Sequence, residues 1–106
     1  MYARRVSIQL KPNSSAEFTK QVEEKILPVL RKQEGFKDEI SFVAQGGNDA
    51  FALSLWDTKE NADAYNREHY AEVSKMLETL VIGTPKVDTY DVSNSTFHKI
   101  GAAARA

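Results

Sequence analysis

The chain is predicted to be an α+β protein of the ferredoxin-like βαββαβ type, a four-stranded antiparallel sheet with two helices on one face. Three observations predict it. Apolar and polar residues alternate from Tyr2 to Leu10, the period of a strand. Two stretches, Phe18 to Leu30 and Ala62 to Leu80, carry apolar residues at steps of three and four, the period of a helix. Between them, Gly46-Gly47-Asn48-Asp49 separates two apolar runs with four residues that all tolerate turn geometry, as a hairpin requires.

Taken in order, the first strand puts Tyr2, Arg4, Val6, Ile8 and Leu10 on one side and Ala3, Arg5, Ser7 and Gln9 on the other. Lys11-Pro12-Asn13 ends it, because proline cannot donate to the ladder. Ser14 stands three before Glu17, a capping box, and opens a helix whose stripe is Phe18, Val22, Ile26, Val29 and Leu30. Pro28 should kink it, and Gly35 should stop it in a left-handed cap. Phe36 to Gln45 is the second strand.

The third strand, Ala50 to Trp56, has Phe51, Leu53 and Leu55 on one face and Ala50, Ala52, Ser54 and Trp56 on the other. Neither face is charged, so both are expected to be buried. Asp57, with Glu60 three residues on, is the expected cap of the second helix. Its stripe runs through Ala62, Tyr65, His69, Val73, Met76 and Leu80, and Asp63 and Arg67 are spaced to pair on its surface. Gly83-Thr84-Pro85 ends that region, and Lys86 to Val92 alternates as a fourth strand. The helices cover one face of such a sheet. The other, expected to carry Ala, Ser, Gln and Trp side chains, calls for a second copy stacked sheet on sheet, a homodimer.

At 106 residues the chain is one domain, read as residues 1–93, followed by a small, polar C-terminal tail over residues 94–106, frayed or held at a dimer interface. Fourteen Lys and Arg against 15 Asp and Glu leave a formal charge of −1 with no basic cluster, which gives no footprint for nucleic acid. No apolar run reaches membrane-spanning length, and the N-terminus leads into a strand rather than a signal peptide, so the expectation is a cytoplasmic protein with no membrane partner. Cysteine is absent, which removes disulfides, thiolate nucleophiles and thiolate metal sites together. The two histidines and the dispersed acids make no metal site.

Ile26-Leu27-Pro28-Val29-Leu30 followed by Gly35-Phe36, then Leu53-Ser54-Leu55-Trp56 with an acid and a helix behind it, then Pro85-Lys86-Val87 leading to Tyr90, resembles the antibiotic-biosynthesis monooxygenase domain over Tyr2 to Val92. The resemblance implies a dimeric α/β barrel. It also implies an oxygenase that uses no metal, flavin or haem and acts on a small hydrophobic phenolic, quinol or anthrone-like compound. Such an enzyme supplies a dry pocket, hydrogen bonds to the substrate and a group that takes a proton. A non-catalytic dimeric barrel that binds a small molecule or a protein is the alternative. Haem degradation ranks lower: where such relatives carry a tryptophan, a histidine and an asparagine, this chain holds Tyr65, Lys75 and Arg4.

The residues expected to form the site are His69 as the catalytic base and Trp56, Tyr65, Asn66 and Tyr70 as substrate contacts. His69 is the one of the five that titrates near neutral pH. Each has a plainer account. A histidine on an apolar stripe is more often packed against a carbonyl, and Trp56 and the tyrosines fill cores well. Arg4 and Arg5 could each hold an anion, but adjacent strand residues point to opposite faces and cannot share one.

Overall fold

The computed structural model describes residues 1–98; the part of the expected tail over residues 99–106 lies outside the described residues. Four strands, β1 (Tyr2–Leu10), β2 (Phe36–Val43), β3 (Asp49–Trp56) and β4 (Val81–Asp91), form one antiparallel sheet in the order β2-β3-β1-β4. This is the strand order that the βαββαβ arrangement produces. The helices α1 (Ser15–Gln21), α2 (Leu27–Arg31), α3 (Lys59–Glu68) and α4 (Tyr70–Met76) supply the layer above it. Leu10, Phe18, Val22, Ile26, Leu30, Ala50, Trp56, Ala62, Tyr65 and Val73 make the buried core between the layers.

Local chemistry shapes both helical segments. Between α1 and α2 the backbone widens into a π turn over Val22–Ile26, in which the Leu27 N–H donates to the Val22 carbonyl five residues back. Pro28 follows directly: it has no N–H for the carbonyl of Glu24, and the wider turn leaves room for its ring. The expected kink is therefore a π turn. Ser14 makes no side-chain cap. The later helix is capped by Thr58 rather than Asp57, Thr58 Oγ1 accepting from the Asn61 N–H at 3.1 Å. Asp57 instead pairs with Lys37 at 3.4 Å, and Asp63 with Lys59 at 2.8 Å rather than with Arg67. The stripe expected to run unbroken to Leu80 is interrupted at His69 (φ −131°, ψ −20°) and ends in a 3₁₀ turn over Glu78–Leu80.

Gly35 adopts φ +78°, the left-handed stop read from the sequence, and a Cβ there would overlap the Asn61 side chain. β4 starts at Val81, five residues before the expected Lys86. A bulge opposite Ser7 and Gln9 and the φ of +74° at Gly83 carry it through Pro85, and an edge strand tolerates a missing donor. After β4 the Val92 N–H donates to the Met1 carbonyl at 3.0 Å, and the His98 ring meets the Asp38 carboxylate on β2.

Register decides which face is which. Tyr2 stands opposite Trp56, Arg4 opposite Ser54 and Val6 opposite Ala52, so Ala50, Ala52, Ser54 and Trp56 lie under the helices. The expectation that the alanine, serine and tryptophan face would be the open one is corrected by this pairing. The open face carries Phe51, Leu53 and Leu55 beside Ile40 and Phe42 of β2 and Tyr90 of β4, with Phe42 41% and Tyr90 47% exposed. Phe42 stacks on Phe51 at 4.7 Å, and the Arg5 guanidinium sits 4.5 Å above the same Phe51 ring. Among the described residues no helix is long and apolar enough to cross a membrane.

Candidate functional site

Trp56 is fully buried, at 0% exposure, where β3 ends beneath α3. Its Nε1–H donates to the Ser54 Oγ at 2.9 Å, the Phe36 ring meets it edge-on at 5.5 Å, and Tyr65 stacks on it at 5.1 Å. Buried indole N–H groups need a partner, and Ser54, two residues back on the same face, is placed to be one. Tyr65 in turn meets Tyr70 at 6.5 Å across the α3–α4 junction.

Beneath these rings lies Arg4, 3% exposed, on a β1 face that is otherwise apolar. Its Nη2–H donates to the Asn66 Oδ1 at 2.8 Å, and its Cζ lies 5.2 Å from the Tyr65 centroid and 4.7 Å from that of Tyr70. Among the described residues no carboxylate comes within 4 Å of it. Two aromatic faces and one amide oxygen thus take the place of a counter-ion. Burial lowers the guanidinium's pKa, an effect opposed by the tyrosines and Asp63. Burial also pushes Tyr65 up to about 12 and raises Tyr70, with Arg4 pulling both the other way. Both tyrosines are neutral donors at physiological pH.

Between the helices and the sheet is a cavity of about 70 Å³. Val6, Ile8 and Ala52 floor it, the α1–α2 stripe walls one side, and Tyr65, Tyr70, Val73 and Leu77 wall the other. Its lining is apolar except for the two tyrosines, two serine hydroxyls and one acid, Glu39 of β2. Burial raises the Glu39 pKa above the ordinary carboxylate value, while a hydrogen bond from the Ser41 hydroxyl partly offsets it. Tyr70, Ser74, Val81 and Pro85 also border an open groove beside α4, which gives the cavity an outlet between α4 and β4.

Of the five residues expected to form a site, Trp56, Tyr65, Asn66 and Tyr70 make one connected cluster, joined by Arg4. Tyr65 and Tyr70 reach the cavity; Trp56 stands behind Tyr65, and Asn66 holds Arg4. His69 does not join them. It caps the α3–α4 break with its side chain 36% exposed and Nδ1 4.0 Å from a Glu72 oxygen, outside the cavity. The site expected from the sequence left out two residues, Arg4, weighed only as an anion holder, and Glu39. Arg4 was visible as a lone cation on an apolar strand face; Glu39 carried no local signal, because its edge strand alternates only weakly.

No family model matches the chain, and no curated protein matches its sequence. Solved structures do match. SnoaB, a cofactor-independent oxygenase from Streptomyces nogalater, superposes with a TM-score of 0.73 over 90% of this chain and 95% of its own, at 13% identity. The monooxygenase from the gene ActVA-Orf6 of Streptomyces coelicolor, solved with Nanaomycin D, gives 0.72 over 89% and 88% at 17% identity. The fold is that of the antibiotic-biosynthesis monooxygenases. A conserved protein from Methanosarcina mazei Go1 superposes with a TM-score of 0.67 over 85% of this chain and 91% of its own, at 22% identity. An apolar cavity with one acid and a buried cation behind it is suited to taking a proton from an apolar, weakly acidic molecule.

Proposed function

We propose that this protein is a cofactor-independent monooxygenase acting on a small hydrophobic phenolic, quinol or anthrone-like compound, and that it works as a homodimer. The observation that carries the reading is the apolar cavity lined by Tyr65, Tyr70 and Glu39, in a fold shared with a cofactor-independent oxygenase. For an anthrone-like substrate the chemistry balances as follows. The deprotonated substrate passes one electron to dioxygen, the resulting radical and superoxide join as a peroxide on carbon, and the peroxide loses water. One oxygen atom stays as a new carbonyl; the other leaves as water with the two hydrogens that the carbon has lost.

Two observations support a dimer. The open sheet face presents Phe51, Leu53, Leu55, Ile40, Phe42 and Tyr90 together, an apolar surface that a second sheet would cover. On that same face the Nε of Arg5 is buried without a hydrogen-bond partner among the described residues, and turning this side chain toward a second copy would give it one.

At about 70 Å³ the cavity holds a few waters and is smaller than a two-ring phenol. Substrate entry therefore widens it. The outlet beside α4 supports this, since Val73 is the one buried residue of that short helix. The same small volume favours a second reading, a dimeric module that binds a partner without turnover.

Oxygen uptake decides between them, using protein freed of metal and a panel of hydroquinones and anthrones, with a His69→Ala variant alongside. Saturable uptake supports the monooxygenase. Uptake no faster than background oxidation for every compound removes that reading and leaves the binding module.

A further inference from the structure

The strand register places Glu39 of β2 opposite Ser54 of β3, and Ser54 opposite Arg4 of β1. Acid, hydroxyl and cation thus form one row across three adjacent strands, on the face beneath the helices. With neighbouring strands about 4.8 Å apart, the two ends of the row stand about 10 Å apart at Cα. Glu39 and Arg4 do not pair with each other, and among the described residues neither has an opposite charge within 4 Å. Ser54 between them is engaged as the acceptor for Trp56. Arg4 is buried and Glu39 half-buried; held apart, they gain little from each other, while each still loses solvation. Glu39 and Ser54 line the cavity, and Arg4 stands behind it.

We propose that Glu39 is the proton acceptor of this site, and that Arg4, from behind Tyr65 and Tyr70, stabilises the anion which that transfer creates. The inference rests on the monooxygenase reading for the fate of the anion, but not for its formation. The matching substrate is a planar molecule in which an acidic O–H or C–H is conjugated through a ring to a carbonyl oxygen. Its proton passes to a carboxylate oxygen of Glu39, giving a neutral carboxyl. The electron pair stays on the substrate and spreads to the far oxygen, on the Arg4 side. Proton removal at one end of the row and negative charge at the other then match the two fixed charges.

Glu39 lines the cavity, so it is the catalytic residue. Its raised pKa suits a proton acceptor that must release the proton again. Arg4 is not part of the lining. It is a positioning residue that acts through the field it sets up in a poorly solvated site. The groups facing Glu39 are Ser41 and Ser54 from the sheet, Thr19 and Glu23 where α1 meets the π turn, and Tyr65, Tyr70 and Ser74 from α3 and α4. Arg4, behind Tyr65 and Tyr70, is the nearest cation on that face of the sheet.

The test uses alizarin, a hydroxyanthraquinone whose colour reports its ionisation, titrated with pH while bound to the whole protein. In the wild type the bound dye should ionise about one pH unit below the free dye. Glu39→Gln removes a negative charge and should move that midpoint further down. Asn66→Asp neutralises Arg4 without removing it and should move it up, while Arg4→Lys, which keeps the charge, should restore most of the wild-type shift. These directions are independent of turnover. In oxygen uptake with an anthrone, Glu39→Gln should lower kcat about a hundredfold with KM nearly unchanged. A dye that fails to bind, a midpoint unshifted in the wild type, or variant midpoints that coincide would each overturn the inference, as would Glu39→Gln uptake within about threefold of the wild type. If the dye shifts appear as described but no compound is oxygenated, the monooxygenase reading fails and the acid–cation row stands.

Discussion

Arg4 of β1 and Asn66 of α3, 62 residues apart in sequence, are joined by a 2.8 Å hydrogen bond that fixes a buried guanidinium against two tyrosine rings. Asn66 is itself exposed, so in Asn66→Ala water replaces the amide oxygen at the rim of the buried guanidinium, a loss of about 1 kcal/mol. Thermal unfolding should show a midpoint a few degrees lower for Asn66→Ala. Asn66→Asp, which gives the cation a carboxylate, should unfold within a few degrees of the wild type or above it. A midpoint unchanged in Asn66→Ala would mean that the two tyrosines alone satisfy Arg4.

Glu39 gives a pH prediction with a definite sign. Its folded pKa lies above the ordinary value of 4.5, with burial the leading cause. Between the two values the folded state holds the proton more tightly than the unfolded one. The group therefore lowers stability progressively as pH rises through that window, and its full penalty is present above the folded pKa. Glu39→Gln should unfold at a higher temperature than the wild type at pH 7, and the gain should vanish below the ordinary carboxylate value. Increased stability together with lost uptake is the mark of a charge kept for chemistry. His69→Ala, at a half-exposed position outside the cavity, should leave both stability and uptake nearly unchanged.

Gly35 combines a φ of +78° with a close approach to Asn61. Gly35→Ala brings two penalties at once, left-handed strain and overlap with Asn61 at the start of α3, and should lower stability by about 2 kcal/mol or more. Denaturant unfolding would read this as a lower midpoint at unchanged slope. Gly46→Ala has φ +71° but open space around its would-be Cβ, so the strain acts alone and the loss should be smaller, about 1 kcal/mol. Equal losses at the two positions would show that the Asn61 contact relaxes freely.

The open sheet face offers a test of association. Leu53→Asp places a charge at its centre, opposite Arg5 and Ile40, without entering the core beneath the helices. If this face joins two copies, light scattering during gel filtration should give dimer mass for the wild type and monomer mass for Leu53→Asp. Dimer mass in both would move the interface elsewhere.

The sequence alone determined the elements. Alternation in β1, the uncharged apolar run of β3, the stripe Phe18, Val22, Ile26 and Leu30, the glycine at 35 and the hairpin at Gly46 and Gly47 are all local patterns, and local patterns set strand, helix and turn. The break at His69 and the cap at Thr58 escaped because helix ends depend on single hydrogen bonds that several neighbouring residues could make. Tertiary structure decided the rest. Which face of β3 meets the helices depended on register, since each side-chain set could serve either side until Tyr2 was set opposite Trp56. The row of Glu39, Ser54 and Arg4 arises the same way, from three strands whose residues lie far apart along the chain. Charge and burial at such a site are properties of the pairing, and no stretch of sequence read on its own contains them.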